Sequence, residues 1–208
     1  MAGGKRRLPP GAVSDCWFCT SSPSFQARLV CSIGDDSLLT LPRGPISETH
    51  CLVVPVPHVV SLAASPADVS TEMRRYMQSL RQWHRAAGRR LVAFERVVQT
   101  MGSHHAHVQT VGVPVSAAEG AVELFESKGR KLGMSFVRLS QGQSLAHAAG
   151  GDQYMSVEVD GDLGEGFGAE AMSAGSASGA SGSDSGKGLL PPMTRLFYKV
   201  QRGVKLPY

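Results

Sequence analysis

The chain opens with short apolar runs broken by turns and shifts to a helical rhythm near residue 65. Leu29 to Ile33 and Ser37 to Leu41 read as two strands joined by the turn cluster Gly34-Asp35-Asp36. Pro42-Arg43-Gly44-Pro45 breaks the chain, and His50 to Val56 is an apolar, β-branched run suited to a buried strand. Ser65-Pro66 then opens a long helix, with Ser65 as the cap and Pro66 at the first helical position. Val69, Met73, Met77, Leu80 and His84 recur at three- and four-residue steps, so they share its apolar face, and Gly88 is the stop. Arginines 74, 75, 81, 85, 89 and 90 enrich the opposite face and the end.

Strand periodicity returns at Leu91 to Val98 and, after a polar turn at 99–103, at His104 to Val113. Ser116 to Leu132 reads as a second amphipathic helix, with Ala121, Leu124 and Phe125 on its apolar side. Met134 to Leu139, Tyr154 to Val159 and Met193 to Gln201 read as further strands. Between the last two, residues 161–188 hold nine Gly, six Ser and five Ala, the composition of a flexible insert without a core. Residues 1–13 form a disordered basic arm in which Lys5-Arg6-Arg7 can serve nuclear import.

Composition narrows the class. A content of 42% hydrophobic and 18% charged residues excludes a wholly disordered chain or a coiled coil. No window approaches the ~20 apolar residues of a membrane span, and the first residues lack the apolar core of a secretory signal. A net charge of +4 permits an anionic partner without demanding one. Four cysteines are too few for a disulfide framework. Cys16 and Cys19 are therefore read as metal or redox candidates, and Cys31 and Cys51, within apolar runs, as core residues.

Two patterns carry chemistry. On a strand, His105, His107 and Gln109 line one face and Ala106, Val108 and Thr110 the other. Three polar side chains in a row on a central strand are costly to bury unpartnered, so they face a metal, an anionic ligand or solvent. Cys16-Trp-Phe-Cys19 can place two thiolates on one tetrahedral zinc, with His58 and one histidine of the 104–107 cluster completing the set. The competing readings are a redox pair, weak without a clear parallel βαβ pattern, or two buried thiols. Trp17 and Phe18 either stack a base or pack against the cysteine turn. His50 reads as a satisfied sheet histidine, His84 as a core or boundary residue on the apolar face of the long helix, and His147 earns no role.

The combination resembles a known family. HxHxQ preceded by CxxC and by the His50–Pro55 strand is similar to the histidine-triad (HIT) superfamily. Cys16-Trp-Phe-Cys19, Ser32-Ile-Gly34, Leu41-Pro-Arg-Gly-Pro45, Phe94-Glu-Arg96 and Ser103-His-His105 resemble the CwfJ C-terminal domain of Cwf-type splicing factors. The resemblance implies an α+β fold, a HIT-like antiparallel sheet with flanking helices, over residues 14–140. It implies a partial second CwfJ C-terminal domain over 141–208, interrupted by the insert.

The resemblance also implies nuclear work in the spliceosome and intron-lariat turnover, with RNA, splicing proteins or a lariat-debranching enzyme as partners. In the wider superfamily the histidine at the His107 position attacks an α-phosphate to form a nucleotidyl-histidine. Gln109 stands where triad hydrolases carry a third histidine and can bond a phosphate oxygen. The uridylyltransferase branch supplies the zinc analogy, matching Cys16, Cys19, His58 and His105, with His104 the alternative. CwfJ members vary at the His107 position, so membership does not itself imply catalysis, and no metallophosphatase motif is present. In this context Arg74, Arg75, Arg81, Arg85, Arg89, Arg90 and Lys131 are the candidate RNA-contacting residues, with Arg43 and Arg130 as additions; residues 69–105 alone hold seven Arg against Glu72 and Glu95.

Overall fold

The structure, a computed structural model, describes residues 15–98, 104–161 and 193–200. The expected basic arm, the polar turn at 99–103 and nearly all of the Gly/Ser insert lie outside the described residues. The described residues form eight strands: β1 (Val30–Ile33), β2 (Ser37–Thr40), β3 (Cys51–Pro55), β4 (Arg89–Val97), β5 (Val108–Pro114), β6 (Val137–Leu139), β7 (Tyr154–Val159) and β8 (Thr194–Lys199). They form one sheet in the order β1-β2-β3-β5-β4-β7-β8-β6. Every pairing is antiparallel. Because β7 pairs along β4 from Val92↔Val159 to Val97↔Tyr154, the sheet runs straight through the boundary expected at residue 140.

The two faces have separate cores. Helix α1 (Ala67–Ala86) lays Val69, Met73 and Leu80 on Val53, Leu91, Ala93 and Val108. On the other face α2 (Val115–Glu119) and α3 (Ala121–Lys131) lie with Val92, Val111, Val157, Val159 and Leu196, where Ala121 and Phe125 pack. The helical stripe expected for α1 is the buried one, with His84 at its end fully enclosed. A Cβ at position 112 would stand 2.2 Å from the His84 ring, so only glycine on β5 lets α1 approach this closely. Gly88, at φ 68°, makes the left-handed stop.

Several expectations need correction. Pro66, not Ser65, holds the N-cap position of α1; the Ser65 hydroxyl donates instead to the Ser61 carbonyl. The second helix breaks at Gly120 into α2 and α3, and Leu124 points to solvent. Cys31 is exposed rather than core, because β1 is an edge strand with a register irregularity between Val30 and Ser32; Cys51 is half-buried. β5 starts at Val108, four residues later than expected, because the 104–107 segment bonds elsewhere: the Ala106 N–H donates to the Val59 carbonyl at 2.7 Å.

Arg81 and Arg85 do not lie on a solvated basic face. Both donate to Asp160, which is fully buried at the end of β7, Arg85 through Nε at 2.8 Å and Nη2 at 2.7 Å. Burial would push the Asp160 carboxyl up, but the two guanidiniums outweigh it and hold it below its ordinary range. Removing one partner of such a pair typically costs about 3–5 kcal/mol. These arginines tie α1 to β7, a role their helical spacing alone does not reveal.

A second buried group is Glu95 on β4. Its oxygens accept from the Leu62 N–H at 2.8 Å and the Tyr154 hydroxyl. Burial holds the Glu95 carboxyl up at about 7, against the opposing effect of those two donors. The folded state therefore binds this proton more tightly than the unfolded chain does. The stability it contributes, roughly 3 kcal/mol, is full below about pH 4.5 and is lost as pH rises through about 7. In Glu95→Gln the amide can accept from the Leu62 N–H and donate to Tyr154 without titrating. Denaturant unfolding across pH 4 to 8 should show wild type losing ground against Glu95→Gln through this window; a difference that stays constant with pH contradicts this account of Glu95.

Candidate metal centre and histidine cleft

Three stretches of chain converge at one end of the sheet. The first is the turn carrying Cys16 and Cys19, closed by the Ser22 N–H donating to the Cys19 carbonyl at 2.9 Å. The second follows β3, whose last residue is Pro55, and brings His58. The third is the 104–107 segment leading into β5. Cys16, Cys19 and His105 are buried, and His58 is half-buried.

The ligand atoms of Cys16, Cys19, His58 and His105 all lie within 4.8 Å of one another and can hold a metal ion. His105 Nδ1 is 3.4 Å from Cys16 Sγ and 3.6 Å from Cys19 Sγ, and His58 Nδ1 is 3.2 Å from Cys19 Sγ. A tetrahedron with metal–sulfur and metal–nitrogen bonds of zinc length has S···N edges of about 3.6 Å, so the spacing fits one ion. His105 Nε2 donates to the Pro55 carbonyl at 2.8 Å, which leaves Nδ1 unprotonated and aimed at the thiols. Burial holds the His105 pKa down at about 4, so the ring is in the neutral, ligand-competent state. The structure separates the alternatives left open by the sequence: His105 joins the cluster, while His104 stays outside it, its ring 5.9 Å from that of His107.

The cleft beside this cluster has a volume of about 330 Å³. His107 and Gln109 line it, as the strand alternation requires, together with Trp17, Phe25, Arg43 and His50. His107 Nδ1 donates to the His105 carbonyl at 3.0 Å. The neutral ring therefore carries a bare Nε2, and burial favours that neutral form by lowering its pKa. The Phe18 ring packs on both His105 and His107, at centroid distances of 5.7 and 5.3 Å. Trp17 is 48% exposed and carries the Arg43 guanidinium 4.1 Å above its ring. So Phe18 braces the cysteine turn, and Trp17 with Arg43 forms a flat cationic wall of the cleft.

His50, read from sequence as structural only, is part of this cleft. Its Nδ1 accepts from the Ile46 N–H at 3.1 Å, so its Nε2 carries the proton. Burial lowers the His50 pKa and its interaction with Gln109 opposes that fall. No full hydrogen bond closes on His50 Nε2 among the described residues. The signal available in the sequence was the alternation of β3, which puts His50 on the face of Leu52, the residue opposite Gln109.

The basic residues do not form one surface. Arg74 and Arg75 are exposed on α1, across the sheet from the cleft; Arg89 and Arg90 are half-buried at the start of β4; Lys131 is exposed at the end of α3; Arg81 and Arg85 are committed to Asp160.

A sheet whose central strand β5 is entered from a histidine-rich segment, with a Cys₂His₂ cluster beside it, defines an α+β protein of HIT-like architecture. Over its whole length the chain superposes on a solved uridylyltransferase with a TM-score of 0.51 at 14% identity, covering 85% of that chain, a likeness of fold alone. Residues 5–126 match the family described as "Protein similar to CwfJ C-terminal", and the chain belongs to that family. It is 37% identical over 123 residues to zinc finger CCCH domain-containing protein 59 of Oryza sativa subsp. japonica, covering 59% of this chain and 20% of that protein. To CWF19-like protein 1 of Mus musculus it is 31% identical over 157 residues, covering 74% of this chain and 29% of that protein. The chain thus spans between a fifth and three tenths of the length of these relatives. No described helix is long and apolar enough to cross a membrane.

Protein purified with metal supplied should carry one equivalent per chain by elemental analysis. Cys19→Ser should lose it and unfold at a markedly lower temperature, since metal binding to such a cluster adds directly to folding. Cys51→Ser should retain it. Equal metal content in the two variants contradicts the four-ligand assignment.

Proposed function

We propose that the chain is a zinc-braced HIT-like module of a nuclear, splicing-associated protein, and that it binds RNA or a ribonucleoprotein partner at the histidine cleft. The observation that carries this reading is the cleft itself: a neutral His107 fixed by the His105 carbonyl, Gln109 beside it, and an exposed aromatic wall with its own cation. An aromatic face suits a base of any identity, and the guanidinium suits the phosphate next to it. Two thiolates and two imidazoles in tetrahedral spacing favour zinc among the common divalent ions. The CwfJ family and the CWF19-like relatives support the splicing context, in which splicing proteins, a lariat-debranching enzyme among them, are the partners. Arg74 and Arg75 offer a second, separate cationic surface on α1, with Lys131 on α3 a third.

A second reading rests on the bare Nε2 of His107. It has the protonation state of a nucleophile that attacks an α-phosphorus, forms a P–N bond and expels the leaving group, after which water cleaves the P–N bond. Turnover of an adenylyl phosphoramidate that His107→Ala abolishes supports this reading, and equal behaviour of mutant and wild type sinks it.

For the binding function, a fluorescent single-stranded RNA should bind wild type with a salt-dependent affinity. Trp17→Ala should weaken it by about tenfold, the loss expected for one stacked base. Binding that Trp17→Ala and Arg43→Ala leave intact, but Arg74→Glu with Arg75→Glu destroys, moves the RNA site from the cleft to α1.

A further inference from the structure

A second groove, of about 650 Å³, lies on the α1 side of the sheet, across from the histidine cleft. One wall is a face of α1: Ser70, Met73, Arg74, Met77, Gln78 and Arg81 line it, at the three- and four-residue steps of a single helical stripe. That stripe is roughly 16 Å long, room for about three turns of helix or five extended residues. The other wall is the 141–146 segment, and Met193 stands just before β8. Two hydrogen bonds hold this wall to the strand. Arg195 Nη1 donates to the Gln143 carbonyl at 2.9 Å, and Gln141 Nε2 to the Met193 carbonyl at 3.3 Å. The groove is therefore preformed.

Met77 and Met193 are half-buried at the margin of the core under α1. Unbranched thioethers adapt to aliphatic side chains of many shapes. The acids of the lining are engaged: Glu95 accepts from the Leu62 N–H and the Tyr154 hydroxyl, and Glu158 pairs with Arg195 at 3.4 Å. Arg81 is committed to Asp160. Arg74 is the one lining cation without a carboxylate partner among the described residues. It is exposed at the rim, and its Nε donates to the Ser70 carbonyl one turn back.

An apolar slot with an unmatched guanidinium at its lip complements a peptide that carries aliphatic side chains and a carboxylate. RNA suits it poorly. The one aromatic residue of the lining, Phe94, packs with the core of the opposite face, so no ring is offered to a base. The Glu158 side chain, 40% exposed, opposes a phosphate chain.

We propose that this groove docks a short acidic segment of a partner protein, with an aliphatic side chain set against Met77 and Met193 and a carboxylate on Arg74. The proposal goes beyond the reading of the histidine cleft and does not depend on it, because the two lie on opposite faces of the sheet.

A display library of random twelve-residue peptides, selected on the full chain, tests this. Selected peptides should combine Leu, Ile or Met with Asp or Glu. Their affinity, read by fluorescence polarisation, should fall about tenfold or more in Arg74→Glu, an exposed position where the fold is not at stake. Replacing the peptide's acidic residue by Lys should restore part of that loss on the Arg74→Glu variant. Met77→Gln, close in volume, should also weaken binding, and Lys128→Glu, on α3, should not. No selected peptide, or peptides indifferent to Arg74→Glu and Met77→Gln, overturn the proposal. Equal losses in Arg74→Glu and Lys128→Glu overturn it too, because they mark a general effect of charge. Single-stranded RNA that Arg74→Glu releases, with no peptide selected, assigns the surface to nucleic acid and overturns it. Peptides that bind only once residues 162–188 are deleted assign the groove to the chain's own insert. A dimer of the chain that Arg74→Glu dissociates assigns it to a second copy. Either result overturns a separate partner.

Discussion

Everything distinctive about this molecule depends on two thiols and two imidazoles meeting at one point. Cys16 and Cys19 come from an irregular turn that contributes to no described strand, His58 from the stretch after β3, and His105 from a stretch that does not join β5. Their convergence fixes the backbone at Pro55, Val59, His105 and Ala106 through two hydrogen bonds, His105 Nε2 to Pro55 and the Ala106 N–H to Val59. The cost of enclosing two imidazoles and two thiols is offset when one ion joins them, and is uncompensated otherwise.

The cleft is a consequence of that convergence. The His105 carbonyl orients the His107 ring, so the residue that belongs to the cluster also sets the tautomer of the residue that faces the cleft. Phe18, between the two cysteines, packs on both rings and carries the same coupling through van der Waals contact. The buried ionic tie of Asp160 with Arg81 and Arg85, and the Glu95–Tyr154 pair, work on the opposite face, where they fix α1 and the 62–64 turn to the sheet.

Local patterning made most of the strands, α1 and the four-residue cluster of Cys16, Cys19, His58 and His105 legible. The period of Val69, Met73, Leu80 and His84 is the buried stripe of α1, and the CxxC spacing with a lone later histidine pointed to the cluster found. Partnerships across the fold were not legible, because no local pattern encodes them. Arg81 looks like any solvated helix arginine until Asp160, 79 residues away, is placed beside it. Cys31 looks like a core residue because its neighbours are apolar, but β1 falls at the sheet edge, a fact of topology. The strand at His104 was foreseen too early, because the 104–107 segment bonds to Val59 and Pro55 instead of continuing the ladder. His50 carries a strand position in plain view, yet its place in the cleft depends on the register of β3 with β5.

X-ray absorption at the zinc edge tests the central claim most directly, because it reads the donor atoms themselves. The account predicts a first shell of two sulfurs at about 2.3 Å and two nitrogens at about 2.0 Å, with the outer-shell scattering of two imidazoles. A shell of oxygen and nitrogen alone, or one with four sulfurs, would contradict it: the Cys16–Cys19 turn, His58 and His105 would then not be joined through one ion, and the origin of the cleft would lie elsewhere.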